Sequence, residues 1–212
     1  MNRLILAAAL IAGIGFQLVK DLPPAPMIVA WKGAGVALLA IWAGSQARDR
    51  DGWLIAAALA FGALGDVLLE TSGTVPGALA FLVGHVVAIT LYLRCRRGSI
   101  RKSIGTATGI GLIVAIMGYL LTRDLGVAVY AFGLGAMAGG ALASRFVLPL
   151  VGPGVVLFIG SDLLIFAKGS ALAGSALPGL MIWPTYFAAQ ALIAIGVVRG
   201  LHGHARRPIS AR

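Results

Sequence analysis

The sequence is poor in the side chains that soluble enzymes and secreted scaffolds depend on. Its one cysteine, Cys95, allows no internal disulfide and no cysteine-based metal site. Acids are scarce as well: 7 Asp and Glu stand against 17 Lys and Arg, and charged residues make up only 11% of the 212. Apolar residues make up 59%, with a mean hydropathy of +0.97. So few charges cannot cover the surface of a soluble domain this apolar. The composition excludes a secreted disulfide scaffold, a soluble nucleotide enzyme and a disordered tail. It implies an all-α polytopic membrane protein, because lipid solvates apolar faces that water does not.

Runs of about 16 to 22 apolar residues mark eight candidate spans, at 4–19, 27–43, 53–70, 76–93, 104–121, 125–144, 148–168 and 177–198. The connections are too short for a soluble domain, so 1–199 is read as one transmembrane domain and 200–212 as a basic cytoplasmic tail. The net charge of +10 is a topology signal rather than a nucleic-acid footprint. Arg3, Arg48, Arg50, Arg94, Arg96, Arg97, Arg101, Lys102, Arg145, Arg199, Arg206, Arg207 and Arg212 fall on one side. Lys20, Arg123 and Lys168 fall on the other, and Lys32 lies within a span. Both termini are therefore predicted to be cytoplasmic, in the inner membrane if the cell is bacterial. The run after Arg3 has no clear small-x-small cleavage site before Lys20, so it is read as an uncleaved first helix. Cys95 sits at the basic end of the fourth span and is assigned no role. The 30 glycines include Gly105-x-x-x-Gly109 and Gly135-x-x-x-Gly139, a spacing expected to pack helices closely. The same faces serve within and between chains, so they leave the oligomeric state open.

Ionisable groups inside spans cost several kcal/mol unless paired or hydrated, which makes them the candidate functional residues. They are Lys32, Asp66, Glu70, His85 and Asp162, with Tyr92, Tyr186, Gln190 and Ser161 as uncharged polar company. At about 1.5 Å per residue, Lys32, Asp66, His85, Asp162 and Tyr186 fall roughly 6 to 14 Å from the non-cytoplasmic face. Asp66 and Glu70 are i, i+4, as are Tyr186 and Gln190, while His85 and Tyr92 share a face seven residues apart. A water-accessible pocket entered from the outer leaflet accounts for this layer. Each residue also has a plainer reading. The two Asp could bond backbone or Lys32, and Lys32 could be a counter-charge rather than a substrate contact. His85 could be a satisfied structural histidine, and Glu70 could simply be solvated. Tyr92 is read as an interfacial anchor, and Tyr186 and Gln190 could bridge helices.

Gly65-Asp66-Val67-Leu68-Leu69 is similar to Ser161-Asp162-Leu163-Leu164-Ile165, and each is followed by a Pro-Gly, Pro76-Gly77 and Pro178-Gly179. Two parallel four-helix repeats about an axis along the membrane normal would set Asp66 and Asp162 facing each other.

At these residues the chain resembles the YhhN-like family, which includes the lysoplasmalogenases. The resemblance rests on Trp31-Lys32, Phe61-Gly62-Ala63-Leu64-Gly65-Asp66-Val67-Leu68-Leu69, Phe81-Leu82-Val83-Gly84-His85, Leu157-Phe158-Ile159-Gly160-Ser161-Asp162 and Thr185-Tyr186-Phe187-Ala188-Ala189-Gln190, in the family's order. Gly33 stands where the family usually has Pro after the Lys, and Ala88 where it often has an aromatic. The resemblance implies an integral membrane hydrolase that cleaves the vinyl ether bond of a lysophospholipid-type substrate. The products are a fatty aldehyde and a glycerophospho-base, and neither cofactor nor metal is expected. Protonation of the vinyl carbon gives an oxocarbenium ion that water captures, so a general acid and a nearby carboxylate suffice. Asp162 is assigned as the acid and Asp66 as the base-side carboxylate, an assignment open to reversal. His85 and Tyr186 would orient water or hold the polar head.

Other classes remain open. A transporter or carrier also buries carboxylates, Lys and His, although here the polar layer lies toward one face. An intramembrane zinc hydrolase needs about three His or Cys ligands, whereas His202 and His204 lie in the basic tail. A lipid-binding protein without catalysis would tolerate Asn for Asp. For the topology, a cysteine introduced between residues 70 and 76 is expected to be labelled by an impermeant thiol reagent in intact cells. Protection there, with labelling of the Arg96 loop instead, would invert the model.

Overall fold

In the computed structural model, residues 2–22 and 25–205 are described, except for the side chains of 147, 148, 204 and 205. Arg206, Arg207, Arg212 and the His204 side chain, placed by the sequence in a basic tail, lie outside that set. The elements are α1 (Asn2–Phe16), α2 (Pro26–Gln46), α3 (Arg50–Thr71), α4 (Thr74–Arg94), α5 (Ile100–Thr122), α6 (Leu125–Leu142), a π-helical turn (Val147–Val151), α7 (Gly152–Ala167) and α8 (Leu177–Ala205). Among the described residues seven helices are long and apolar enough to cross a membrane, and the chain is a polytopic helical bundle. The first span is shorter than the sequence run implied. Its helix stops at Phe16 and gives way to turns, so its 15 residues extend about 22 Å, short of a hydrocarbon core of about 30 Å. At the other extreme, the 29 residues of α8 extend about 43 Å, more than a bilayer core requires.

Helix starts are set by side chains that take the orphan backbone N–H groups. Asp49 accepts from Gly52 N (2.9 Å), Ser99 from Lys102 N (3.3 Å), and Asp124 from Gly126 N (2.6 Å) and Val127 N (3.3 Å). Only Ser72 and Gly73 separate α3 from α4, and Gly73 has a φ of 97°, a conformation that glycine adopts at no steric cost. These short turns force neighbouring helices antiparallel. The connections at 47–49, 95–99 and 143–146 therefore gather at one end with the starts of α1 and the finish of α8. There Asn2 bonds Gln46 (3.0 Å), His202 Nε2 lies 3.1 Å from the Gln46 carbonyl, and Arg97 donates to the Leu142 carbonyl (3.2 Å). The charge asymmetry is thus an end-to-end asymmetry, with a basic end and an opposite end that carries Lys20, Arg123 and Lys168.

The tie between α1 and the bundle follows from unsatisfied carbonyls. The last turn of α1 leaves acceptors open, and Trp183 Nε1 in α8 donates to Gly13 O at 2.7 Å. Pro184 has no N–H to give Leu180 O, and Gln17 Nε2 lies 3.5 Å from that carbonyl. Helix packing sorts the two glycine motifs differently. A Cβ at Gly135 would sit 2.7 Å from Ile110 O, and one at Gly139 would sit 2.7 Å from Ala107 Cα, so α5 and α6 touch backbone to backbone. A Cβ at Gly105 or Gly109 would meet nothing of another helix within 4 Å, which corrects the expectation that both motifs pack the bundle. On the repeat, α4 packs on α6 and α8 on α2, a pair of contacts that a two-fold would exchange. However, α5 also touches α7, with no matching contact between α1 and α3 among the described residues, so the halves differ.

At the basic end, Cys95 Sγ lies 3.4 Å from Asp51, and burial beside that carboxylate pushes the thiol up to about 12, far from a reactive thiolate. The packing predicts that Gly139→Leu lowers stability by about 1–3 kcal/mol through overpacking. Gly105→Leu should change it by less than about 0.5 kcal/mol. Denaturation midpoints in detergent check this, and equal midpoints for the two variants would contradict it.

Candidate active site

Sorting the seven acids by partner isolates the site. Asp49 and Asp124 cap helices. Asp21 pairs with Lys20 (2.8 Å), Asp51 with Arg94 (2.6 Å) and Glu70 with Lys32 (2.6 Å). Asp66 and Asp162 remain, with no ion pair among the described residues, yet they are only 2% and 4% exposed. Each accepts a hydrogen bond from a tyrosine: Tyr186 Oη donates to Asp66 Oδ2 at 2.8 Å, and Tyr130 Oη donates to Asp162 Oδ2 at 2.8 Å. The tyrosines are held in turn. Gln190 Nε2 donates to Tyr186 Oη (3.2 Å), and Ser161 Oγ lies 2.8 Å from Phe158 O and 3.2 Å from Asp162 Oδ1, bridging the carboxylate to its own helix.

Between the two Tyr–Asp pairs lies an aromatic bridge. The Phe158 ring stands edge-on to Tyr186 (centroids 5.5 Å apart) and to His85 (5.4 Å), and His85 lies 5.7 Å from Tyr130. Trp183 and Phe81 close the Tyr186 side at 5.7 and 5.9 Å. A continuous run of rings therefore joins one carboxylate to the other, and such faces attract a cation. Counted from the helix ends away from the basic side, Asp66, Tyr130 and Asp162 lie about 8 Å deep, and His85 and Tyr186 about 14 to 16 Å deep. One turn farther from the basic end than Asp66, the partly exposed Lys32–Glu70 pair marks the rim.

The layer expected from the sequence thus comes together from α2, α3, α4, α7 and α8, with differences in detail. Lys32 bonds Glu70 rather than either Asp, so Glu70 is a paired side chain and not a merely solvated one. Tyr92 is not an interfacial anchor. It is 0% exposed, packs against Phe146, and its hydroxyl has no partner among the described residues. His85 Nε2 is likewise buried without a partner. Beside the layer lies a cavity of about 30 Å³, lined by Gly62, His85, Tyr92, Met137, Phe158 and Gln190 among others. It extends toward the basic end instead of opening at the outer rim as the sequence implied. Gly62 leaves room for the Gln190 amide, since a Cβ there would lie 2.9 Å from Gln190 Nε2 and displace it. Sequence reasoning missed Tyr130. It is one of four tyrosines and stands alone as a polar aromatic in the Gly- and Ala-rich sixth helix, which was the available signal. Among the described residues, no group of three or more His, Cys, Asp or Glu is placed to hold a metal ion.

Neither the curated proteins nor the solved structures yield a match. The family model described as YhhN family matches residues 27–197, a stretch that holds α2 to α7, most of α8 and every residue of the carboxylate layer. The chain belongs to the YhhN family.

Proposed function

We propose that the protein hydrolyses the vinyl ether bond of lysoplasmalogens, with Asp66 and Asp162 as its two working carboxylates. The observation that carries this reading is that two buried carboxylates with no ion pair among the described residues are each held by a tyrosine hydroxyl at 2.8 Å, on either side of a run of rings. Carboxylates that serve only the fold in this chain cap helices or pair with Lys or Arg. These two do neither.

In this reading Asp162 in its acid form gives its proton to the vinyl carbon that is not bonded to the ether oxygen, and positive charge develops across the adjacent C–O unit. Ring faces of Phe158, Tyr130 and Tyr186 border that charge, and the Asp66 carboxylate balances it. Water, relieved of a proton by Asp66, adds to the cationic carbon and gives a hemiacetal. Its collapse releases the fatty aldehyde and returns a hydroxyl to the glycerol. Tyr186, fixed by Gln190, and Tyr130, beside Ser161, hold the two carboxylates in place. The Lys32–Glu70 pair offers one charge of each sign, about 6 Å outward of Asp66. That suits a zwitterionic head group, the phosphate on Lys32 and the amine on Glu70. The membrane supplies the substrate and holds its alkyl chain.

The test is aldehyde release from lysoplasmenylethanolamine by purified protein in detergent. Wild type is expected to turn over, while Asp66→Asn and Asp162→Asn, folded by their denaturation midpoints, lose at least about 100-fold in kcat. A folded wild type that releases no aldehyde, or Asn variants that keep full rate, would overturn the reading. The first outcome would make exchange of lipids or small solutes across the membrane the reading to pursue.

A further inference from the structure

The cavity beside the carboxylates joins two groups that the reaction as written does not use. On α3 it follows Gly62, Leu59 and Ile55, on α4 His85, Ala88 and Tyr92, and on α8 Gln190 and Ile193. On each helix that order runs from the carboxylate layer toward the basic end. Two of the side chains that line it end in buried atoms, His85 Nε2 and Tyr92 Oη, that have no hydrogen-bond partner among the described residues. They are seven residues apart on one face of α4, about 10 Å along the axis. A buried polar atom left without a partner is costly, so such atoms normally hold ordered water.

Size and polarity agree with water. A cavity of about 30 Å³ accommodates about two molecules, each needing at least 10–15 Å³. Gln190 supplies a third polar wall and already connects through Tyr186 Oη to Asp66 Oδ2. The walls are otherwise apolar, so the waters have few alternative partners and a defined place.

We propose that this cavity is a resident-water site held by His85, Tyr92 and Gln190, and that it feeds water to the carboxylate layer from the side facing the basic end. The feeding role rests on the hydrolase reading, while the water site does not. With the lipid head at the Lys32–Glu70 rim, the outer approach is filled by substrate. Water that adds to the cation then comes from the opposite side, past His85. His85 and Tyr92 act as positioning residues.

Met137 gives the site its own reporter, being 2% exposed, oxidisable and in the cavity wall, whereas Trp42 is 5% exposed and off the cavity. X-ray hydroxyl-radical labelling, which activates bound water, is run on the full chain in detergent. Met137 and Tyr92 are expected to label about tenfold faster than Trp42, because resident water is the local radical source. Ala88→Leu, which fills the cavity, is expected to bring Met137 down to the Trp42 rate. Tyr92→Phe keeps the shape and removes one water partner, and it is expected to lower kcat about tenfold at unchanged KM. Met137 as protected as Trp42 in wild type would overturn the water site. Faster labelling of Met137 with full kcat in Tyr92→Phe would uphold the site and overturn its feeding role. Faster labelling with no aldehyde from wild type would uphold the site and sink the hydrolase reading instead.

Discussion

A carboxylate inside a bilayer must find its partners within the protein, because hydrocarbon offers none. That constraint organises this chain. Five acids stand at helix ends, connections or the rim, where they cap helices or form ion pairs. Asp66 and Asp162 meet it through tyrosine hydroxyls, and the bonds cross between helices distant in sequence, 120 residues apart for Tyr186 and Asp66 and 32 for Tyr130 and Asp162. The same two bonds thus tie α8 to α3 and α6 to α7. Around them, Trp183 reaches the free carbonyl of Gly13, and Gln190 presses into the space that Gly62 leaves open. Catalytic candidates and tertiary ties are therefore the same atoms.

The helices were legible because their signal is additive: a long apolar run bounded by charge survives any error in a single residue. Their ends were less so. The first apolar run extends past Phe16, but the helix does not, since residues 17–19 close shorter turns and Trp183 takes the carbonyl that another helical turn would have used. Depth was legible too, because a charge in a span has a position along the axis fixed at 1.5 Å per residue. That put Asp66, His85, Asp162 and Tyr186 in one layer before any contact was known.

Partners were not legible, because rotation about a helix axis and the neighbour it faces are set by packing among all eight helices. So Lys32 was paired with an Asp when Glu70, one turn nearer the rim, holds it. Tyr92 was placed at an interface because it lies two residues from Arg94, yet α6 and the Phe146 ring enclose it. Tyr130 escaped notice because a tyrosine carries no charge to announce that it is buried. The cavity could not have been read at all, since it is bounded by residues from five helices.

The account's central claim is that proton transfer from a carboxyl group to carbon begins the reaction, with Asp162 as the donor and Asp66 as the second carboxylate. Running the reaction in heavy water and trapping the aldehyde as it forms tests this most directly. The account predicts one deuterium on the carbon next to the carbonyl, a slowed rate relative to ordinary water, and loss of this product in Asp162→Asn. Aldehyde without that deuterium, or undiminished formation of it by the variant, would contradict the account.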